Sequence, residues 1–218
     1  MSLPDPLTLA GFSDLIQGRV SDCSLVLEWQ QQMSGTGGGE VIYADRAPPM
    51  WTGTVTIGEQ LIADAEATMA LLNSRAGGLK TLLLPNYRGG LYPSSDPTGS
   101  IFGTSTPSVD GSPADQYHVA FKGFPAGYSL PLGTYFQIIF SGSAYYLGQV
   151  CEAKTADGSG NVTSVEVAPK LPASVADGNA VTVIKPCGKF RVVPGTIAPT
   201  LSTSLYEKIA FQVRQTYQ

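Results

Sequence analysis

Apolar and polar positions alternate along most of this chain, which is the signature of strands with one face turned inward. In SLVLEWQ (24–30), Leu25, Leu27 and Trp29 fall on one face, and Val26, Glu28 and Gln30 on the other. The glycine-rich SGTGGGE (34–40) then reverses the chain into a second short strand, EVIYAD (40–45), so the pair reads as a hairpin with a long tip. MWTGTVTIG (50–58) is the clearest strand: Trp51, Gly53, Val55 and Ile57 oppose Thr52, Thr54 and Thr56, a β-branched polar face. The period changes over 59–75. Leu61, Ala65, Met69 and Leu72, widened by Ile62, form the stripe of an amphipathic helix of about four turns. Glu59 lies near its start and Arg75 near its end, as the helix dipole favours. Gly77 and Gly78 stop it, and LKTLLLP (79–85) follows as a buried strand closed by proline.

Residues 86–114 carry no period and few apolar anchors, so the segment reads as an extended arm or connecting loop. From 115 the pattern is β throughout. Tyr117, Val119 and Phe121 alternate with His118, Ala120 and Lys122, and TYFQIIF, AYYLGQVCEA, NVTSVEVAP and NAVTVIKP add four strands at short spacing. Such spacing suggests a small barrel or sandwich. After GKFRVVP (188–194), the last strand sets Ile209, Phe211, Val213 and Tyr217 against Ala210, Gln212, Arg214 and Thr216. So regular a terminal strand predicts pairing in a sheet. The expected organisation is a β-domain with one helix, built from 1–86 and 188–218, an arm or loop over 87–114, and a small β-barrel (115–187) inserted between.

Composition sharpens this reading. A chain of 218 residues can bury a substantial core without covalent staples. Charged residues make up 14%, against roughly 25% in an average soluble domain. A surface so poor in charge suits contact with neighbouring subunits. The net charge of −4 gives no basic footprint for nucleic acid or an anionic membrane. Cys23, Cys151 and Cys187 are odd in number and lie in or beside apolar runs, so buried free thiols are expected. No apolar run approaches membrane-spanning length, and MSLPDPLTLAG lacks the basic and apolar regions of a signal peptide. The expectation is a chain made in the cytosol and not exported through a cleaved signal.

Candidate chemistry is sparse. The DGSGN cluster (157–161) has one carboxylate, Asp157, where a calcium loop needs several; it reads as a bend. The sequon Asn161-Val162-Thr163 matters only in the secretory pathway. His118 stands on the polar face of a strand with no nucleophile motif to serve. One histidine and three scattered cysteines make no zinc set. SGTGGGE lacks the Lys-Ser/Thr ending and the helix of a phosphate loop. Asp45, Asp64 and Glu66 are candidate glycosidase carboxylates only in type, with nothing to pair them. Tyr117, Tyr128, Tyr135, Tyr145 and Tyr146 suit a core, a subunit interface or a sugar site. No catalytic, cofactor or metal residue is assigned, and no enzyme activity or cofactor is expected.

Taken in order, WTGTVTI (51–57), a helix ending in glycines, LLLP (82–85), VDGS (109–112), LPLGTYFQI (130–138), ADGSGNVTSVEVAPKLP (156–172) and DGNAVTV (177–183) resemble tail proteins of siphovirus-like bacteriophages, of the distal-tail or tail-tube-like kind. The pattern covers roughly 45–193. Thr134 stands where it usually has Asp, a turn position. The resemblance implies a mainly β, tail-tube-like β-sandwich or half-barrel with one flanking α-helix and an inserted small β-barrel domain. It implies a structural virion protein made in the host cytoplasm: a distal tail ring, six copies pairing their sheets around a lumen. Its partners would be other copies of itself, the tail tube protein, a baseplate hub and tail fibres, with DNA only in transit and no membrane insertion. A tail tube subunit is the alternative within that family. Outside it stand a carbohydrate-binding β-sandwich module or adhesin and, more remotely, a hydrolase using His118 or a carboxylate.

Overall fold

The computed structural model describes residues 5–7, 20–87, 91–113 and 115–217. Strands dominate. β1 (Val20–Gly35) and β2 (Val41–Leu61) form a long antiparallel hairpin, followed by the helix α1 (Ile62–Asn73), a turn at Ala76–Gly78 and β3 (Leu82–Pro85). Then come β4 (Ser108–Val109), β5 (His118–Lys122), β6 (Ser129–Leu130), β7 (Tyr135–Phe140) and β8 (Ala144–Val150). β9 (Lys154–Thr155), β10 (Val162–Ala168), β11 (Ala180–Thr182), β12 (Cys187–Val192), β13 (Ala198–Leu201) and β14 (Tyr206–Gln215) complete the chain.

One sheet runs β1-β2-β14-β12-β3, with β13 attached to β14. The strands β10-β5-β4-β11-β7-β8 close into a barrel, and β6 pairs with β9. The mainly β architecture with a closed barrel is therefore established. The terminal strand β14 pairs centrally in the sheet with β2 and β12, because Ile209, Phe211 and Val213 have a core to face.

Several boundaries differ from the sequence expectation. The strands expected at 40–45 and 50–58 are one strand, β2, of 21 residues. Ala47 pairs with Gln30 and Met50 with Glu28, which leaves Pro48 and Pro49 opposite Trp29 alone. Proline cannot donate to the ladder, and a bulge removes the need for it to do so. The helix begins at Ile62 rather than 59, because residues 59–61 still belong to β2. Its buried face is Ala65, Thr68 and Leu72, while Leu61 and Ile62 stay exposed. Thr68 is accommodated by donating its hydroxyl to the Asp64 carbonyl (3.0 Å). Glu59 caps nothing: it accepts from Ser202 Oγ (2.5 Å) and faces Lys208 (3.4 Å). Arg75 is fully buried rather than dressing a helix end. The aperiodic 86–114 segment is not simply an arm. Asp96 is buried and accepts the amides of Ile101 (3.2 Å) and Phe102 (2.8 Å), Phe102 enters the barrel core, and β4 is a barrel strand.

Two cores result. The barrel is filled by side chains, with Phe121 against Phe136 (5.5 Å between centroids) and Phe136 against Tyr146 (5.8 Å). The sheet's core face carries Leu25, Trp51, Val55, Ile57, Phe211 and Val213, with Ala65 and Leu72 of α1 packed into the same core. Leu147 belongs to this second core although it lies on barrel strand β8. Beside it, the Trp51 indole donates to the Leu147 carbonyl (2.7 Å), and the Trp51 ring meets Tyr135 (5.7 Å). The Cys187 amide donates to Gln137 Oε1 (2.8 Å) across the same seam.

Trp51→Phe leaves the buried Leu147 carbonyl without its donor. The expected cost is about 2 kcal/mol, or a fall of roughly 4–8 °C in melting temperature for a chain of this size. Thermal unfolding monitored by circular dichroism measures it.

Candidate functional site

The most conspicuous feature is the distal half of the β1–β2 hairpin. Past the Pro48–Pro49 bulge and a second register shift at Arg46, the two strands pair regularly from Gln31 and Asp45 to Gly35 and Val41, with no described layer covering them. The arm is exposed along its whole length, yet it presents Trp29 (56% exposed), Met33 (65%), Ile42 (58%) and Tyr43 (62%). Sequence alternation placed Trp29 in line with Leu25 and Leu27. Its face leaves the core because the sheet ends at Trp51 and the arm goes on alone.

β1 is also an edge strand. Its 16 residues hold two charges, Asp22 and Glu28, and no proline or lysine. Natural edges of this length are shielded or charged; this one holds few charges, and no described strand pairs with its outer side. At the opposite side β13 is fully exposed, with Leu201 at its end and Leu205 just beyond. The sheet's open face carries the cross-strand rows Asp22–Thr56–Ala210, Ser24–Thr54–Gln212 and Val26–Thr52–Arg214–Arg191.

The residues singled out by type do not converge on one site. Asp157 Oδ1 accepts the amides of Ser159 (2.8 Å) and Asn161 (2.9 Å), bonds that hold its carboxyl below the usual range. Gly160 takes φ +80°, and a side chain there would strike the Phe124 carbonyl. DGSGN is thus a bend, although β9 and β10, which it joins, lie in different sheets. In the sequon segment beside it, Val162 is buried in the barrel. Thr134 is buried and bonded through its backbone to Pro131 and Val150. Asp45 sits on the arm, accepting from Gln31 Nε2 (2.8 Å), far from Asp64 and Glu66 on α1. Tyr128 and Tyr146 are barrel core; Tyr135 and Tyr145 are half-buried, and Tyr117 is exposed. Among the described residues, no three His, Cys, Asp or Glu side chains gather as metal ligands. No helix described is long and apolar enough to cross a membrane.

His118 lies exposed at the start of β5, and its Nδ1 is 2.6 Å from Asp115 Oδ2. Asp115 Oδ1 also accepts the amides of Tyr117 and His118, both at 2.9 Å. The His118 side chain first, and these amides second, lower the Asp115 pKa to about 2. The carboxylate folds a short turn around the histidine. Sequence reading missed Asp115, whose only signal is its spacing of three residues from His118. The cysteines also divide. Cys23 and Cys187 are buried, and burial pushes the Cys187 thiol up to about 12. Cys151 is exposed, contrary to the expectation of three buried thiols.

The chain matches no known family model and no curated protein.

Two measurements check this surface chemistry. In the folded protein one thiol, Cys151, reacts promptly with a disulfide reagent, and all three react after denaturation. The Asp115 carboxylate titrates at about 2 by NMR, and His118→Ala moves it up toward the ordinary carboxylate range. Because its folded pKa is depressed, its stabilising effect is present above an unfolded value of about 4 and fades as pH falls through 2.

Proposed function

We propose that this chain is a structural subunit of a bacteriophage tail, assembling through its sheet edges into a ring, with six copies around a channel. The reading is that of the distal tail ring, which joins the tail tube to the baseplate hub and lines the path of DNA in transit. The chain would be made in the host cytoplasm and act in the virion, with no reaction to catalyse. The sheet and its flanking helix would be the tube-like half-barrel, and the barrel would face outward toward fibre proteins.

The observation that carries this is the arm together with the unshielded β1 edge. Among the described residues, no strand pairs with the outer side of β1, so its outward-facing backbone amides and carbonyls are open to a partner, and β13 offers a second free edge on the far side of the sheet. Two different complementary edges on one molecule give a head-to-tail contact, which closes into a ring when the rotation permits. Joined sheets would also cover Met33, Ile42 and Tyr43, whose exposure is costly in a free monomer. The open face carries Asp22 and Glu28 beside Arg191 and Arg214, so a channel wall made from it would hold DNA weakly by balanced charge rather than by uniform repulsion.

A second reading, a glycan-binding module or adhesin, draws on a different place. A 220 Å³ cleft at the root of the arm lies between Trp29 and Tyr117, with Asp45, Arg46 and Lys170 around it. Lys170 Nζ stands 5.8 Å from the Tyr117 ring centroid. Aromatic faces flanked by polar groups suit a sugar. A glycan array that returns hits lost on Trp29→Ala would favour it.

Imaging of the native particle decides between them: a ring of this chain at the end of the tail tube is expected, and a solitary copy overturns the proposal. Replacing Met33, Ile42 and Tyr43 by serine or threonine is expected to abolish ring formation, read by light scattering and negative-stain microscopy. The melting temperature should shift by only a few degrees, since these side chains touch neither core.

A further inference from the structure

On the open face of the sheet, Arg191 of β12 lies directly opposite Arg214 of β14. Like charges facing each other across an antiparallel pair destabilise it. Glu28 answers only one of them, standing 3.6 Å from Arg214 Nη2 with both side chains about half exposed. Arg191 Nε is buried and has no acceptor. A buried guanidinium donor without an acceptor costs more than an average lost hydrogen bond. The two arginines lie in a trough of 730 Å³ whose other walls include Gly78, Leu79, Val193 and Pro194. Leu79 is 79% exposed.

We propose that this trough is an oxyanion site, and that its occupant is the Glu40 carboxylate on the arm tip of a second copy. Two guanidinium groups side by side offer the forked donors that a carboxylate accepts in bidentate fashion. The apolar walls call for a carboxylate carried on an apolar segment. Glu40 is followed by Val41, Ile42 and Tyr43, and Met33 faces Tyr43 across the hairpin, all exposed. Within the chain its backbone carbonyl accepts from the Thr36 amide and hydroxyl, and its amide donates to the Thr36 hydroxyl. The same chain cannot make the contact: from Thr52, beside Arg214, to Glu40 the arm extends roughly 40 Å. The contact is therefore between two copies, the arm tip of one reaching the trough of the next. A nucleic acid fits less well, since its backbone brings no apolar surface and the chain is net acidic (−4). The second copy comes from the ring reading above, on which this inference rests.

Sedimentation velocity on the full chain tests the contact. Glu40→Lys and the pair Arg191→Glu/Arg214→Glu should each weaken self-association about tenfold or more, and mixing the two variants should restore it. Unchanged association in both, no restoration on mixing, or a parent chain monomeric at every concentration overturns the contact. Intact rings in native particles carrying Glu40→Lys would overturn it too, while leaving the ring reading in place. The site itself is read on the free protein as melting temperature in inorganic phosphate against chloride at equal ionic strength. Phosphate should raise it by several degrees, and Arg191→Gln should remove that rise while melting no lower than the parent in chloride. No phosphate effect, or a lower melting temperature for Arg191→Gln in chloride, assigns the arginines to structure and overturns the site. A short DNA duplex that binds the parent but not Arg191→Gln would give the trough to nucleic acid and overturn the assigned occupant.

Discussion

One strand belongs to two cores, and the architecture depends on it. β8 sends Tyr146 and Val150 into the barrel and Leu147 into the sheet's apolar layer. Gly148, next to Leu147, leaves room for the rings of Phe136 and Tyr146, where a side chain would collide. The Trp51 indole bonded to the Leu147 carbonyl then fixes how the barrel meets the sheet. A strand shared in this way removes a hinge: barrel and sheet cannot separate without exposing both Leu147 and Trp51 to water. Tyr217 adds a second tie, packing on Phe140 of the barrel just past the end of β14.

That rigid seam gives the arm its character. Trp51 is the last core position on β2, and beyond it the hairpin leaves the sheet at the Pro48–Pro49 bulge. The barrel flanks the root of the arm, where Tyr117 and Lys170 approach it, but no described residue outside the hairpin covers its length. A two-stranded ribbon is marginal alone in water. An arm that is held firmly at its base and apolar along its faces is preorganised for a partner, because little entropy remains to be lost on docking. The same reasoning applies to the arginine trough, whose cost in the free chain becomes a gain once a carboxylate arrives.

Much of this was legible in the residues. Period-two alternation located nearly every long strand, and the change of period located the helix; Gly77 and Gly78, at φ +65° and +117°, belong to the turn beyond it, since the helix already ends at Asn73. The bend at Asp157 was readable from residue type alone, because Asp, Gly and Asn there satisfy one another locally. Pairing was less legible. Pro48 and Pro49 argued for a break between two strands, and only the partner strand shows that a bulge absorbs them. The segment before 115 lacked periodicity because its anchors, Asp96, Phe102 and Val109, act singly rather than as a face. Asp115 beside His118 and Arg191 beside Arg214 were still harder: the first is a short-range turn, the second joins residues more than twenty positions apart.

The amino-acid sequence by itself determined the local grammar: which stretches extend, where the chain coils into a helix, where glycine turns the chain, and a surface with few charges. Those properties follow from steric preference and periodicity, which act over a handful of residues. Tertiary structure alone decided which strands are edges, which aromatic side chains the core reaches, and which charges face each other. Trp51 is buried and Trp29 is bare, although both sit in well-patterned strands, because burial depends on whether another layer lies above the strand, and that layer comes from residues far away in the chain.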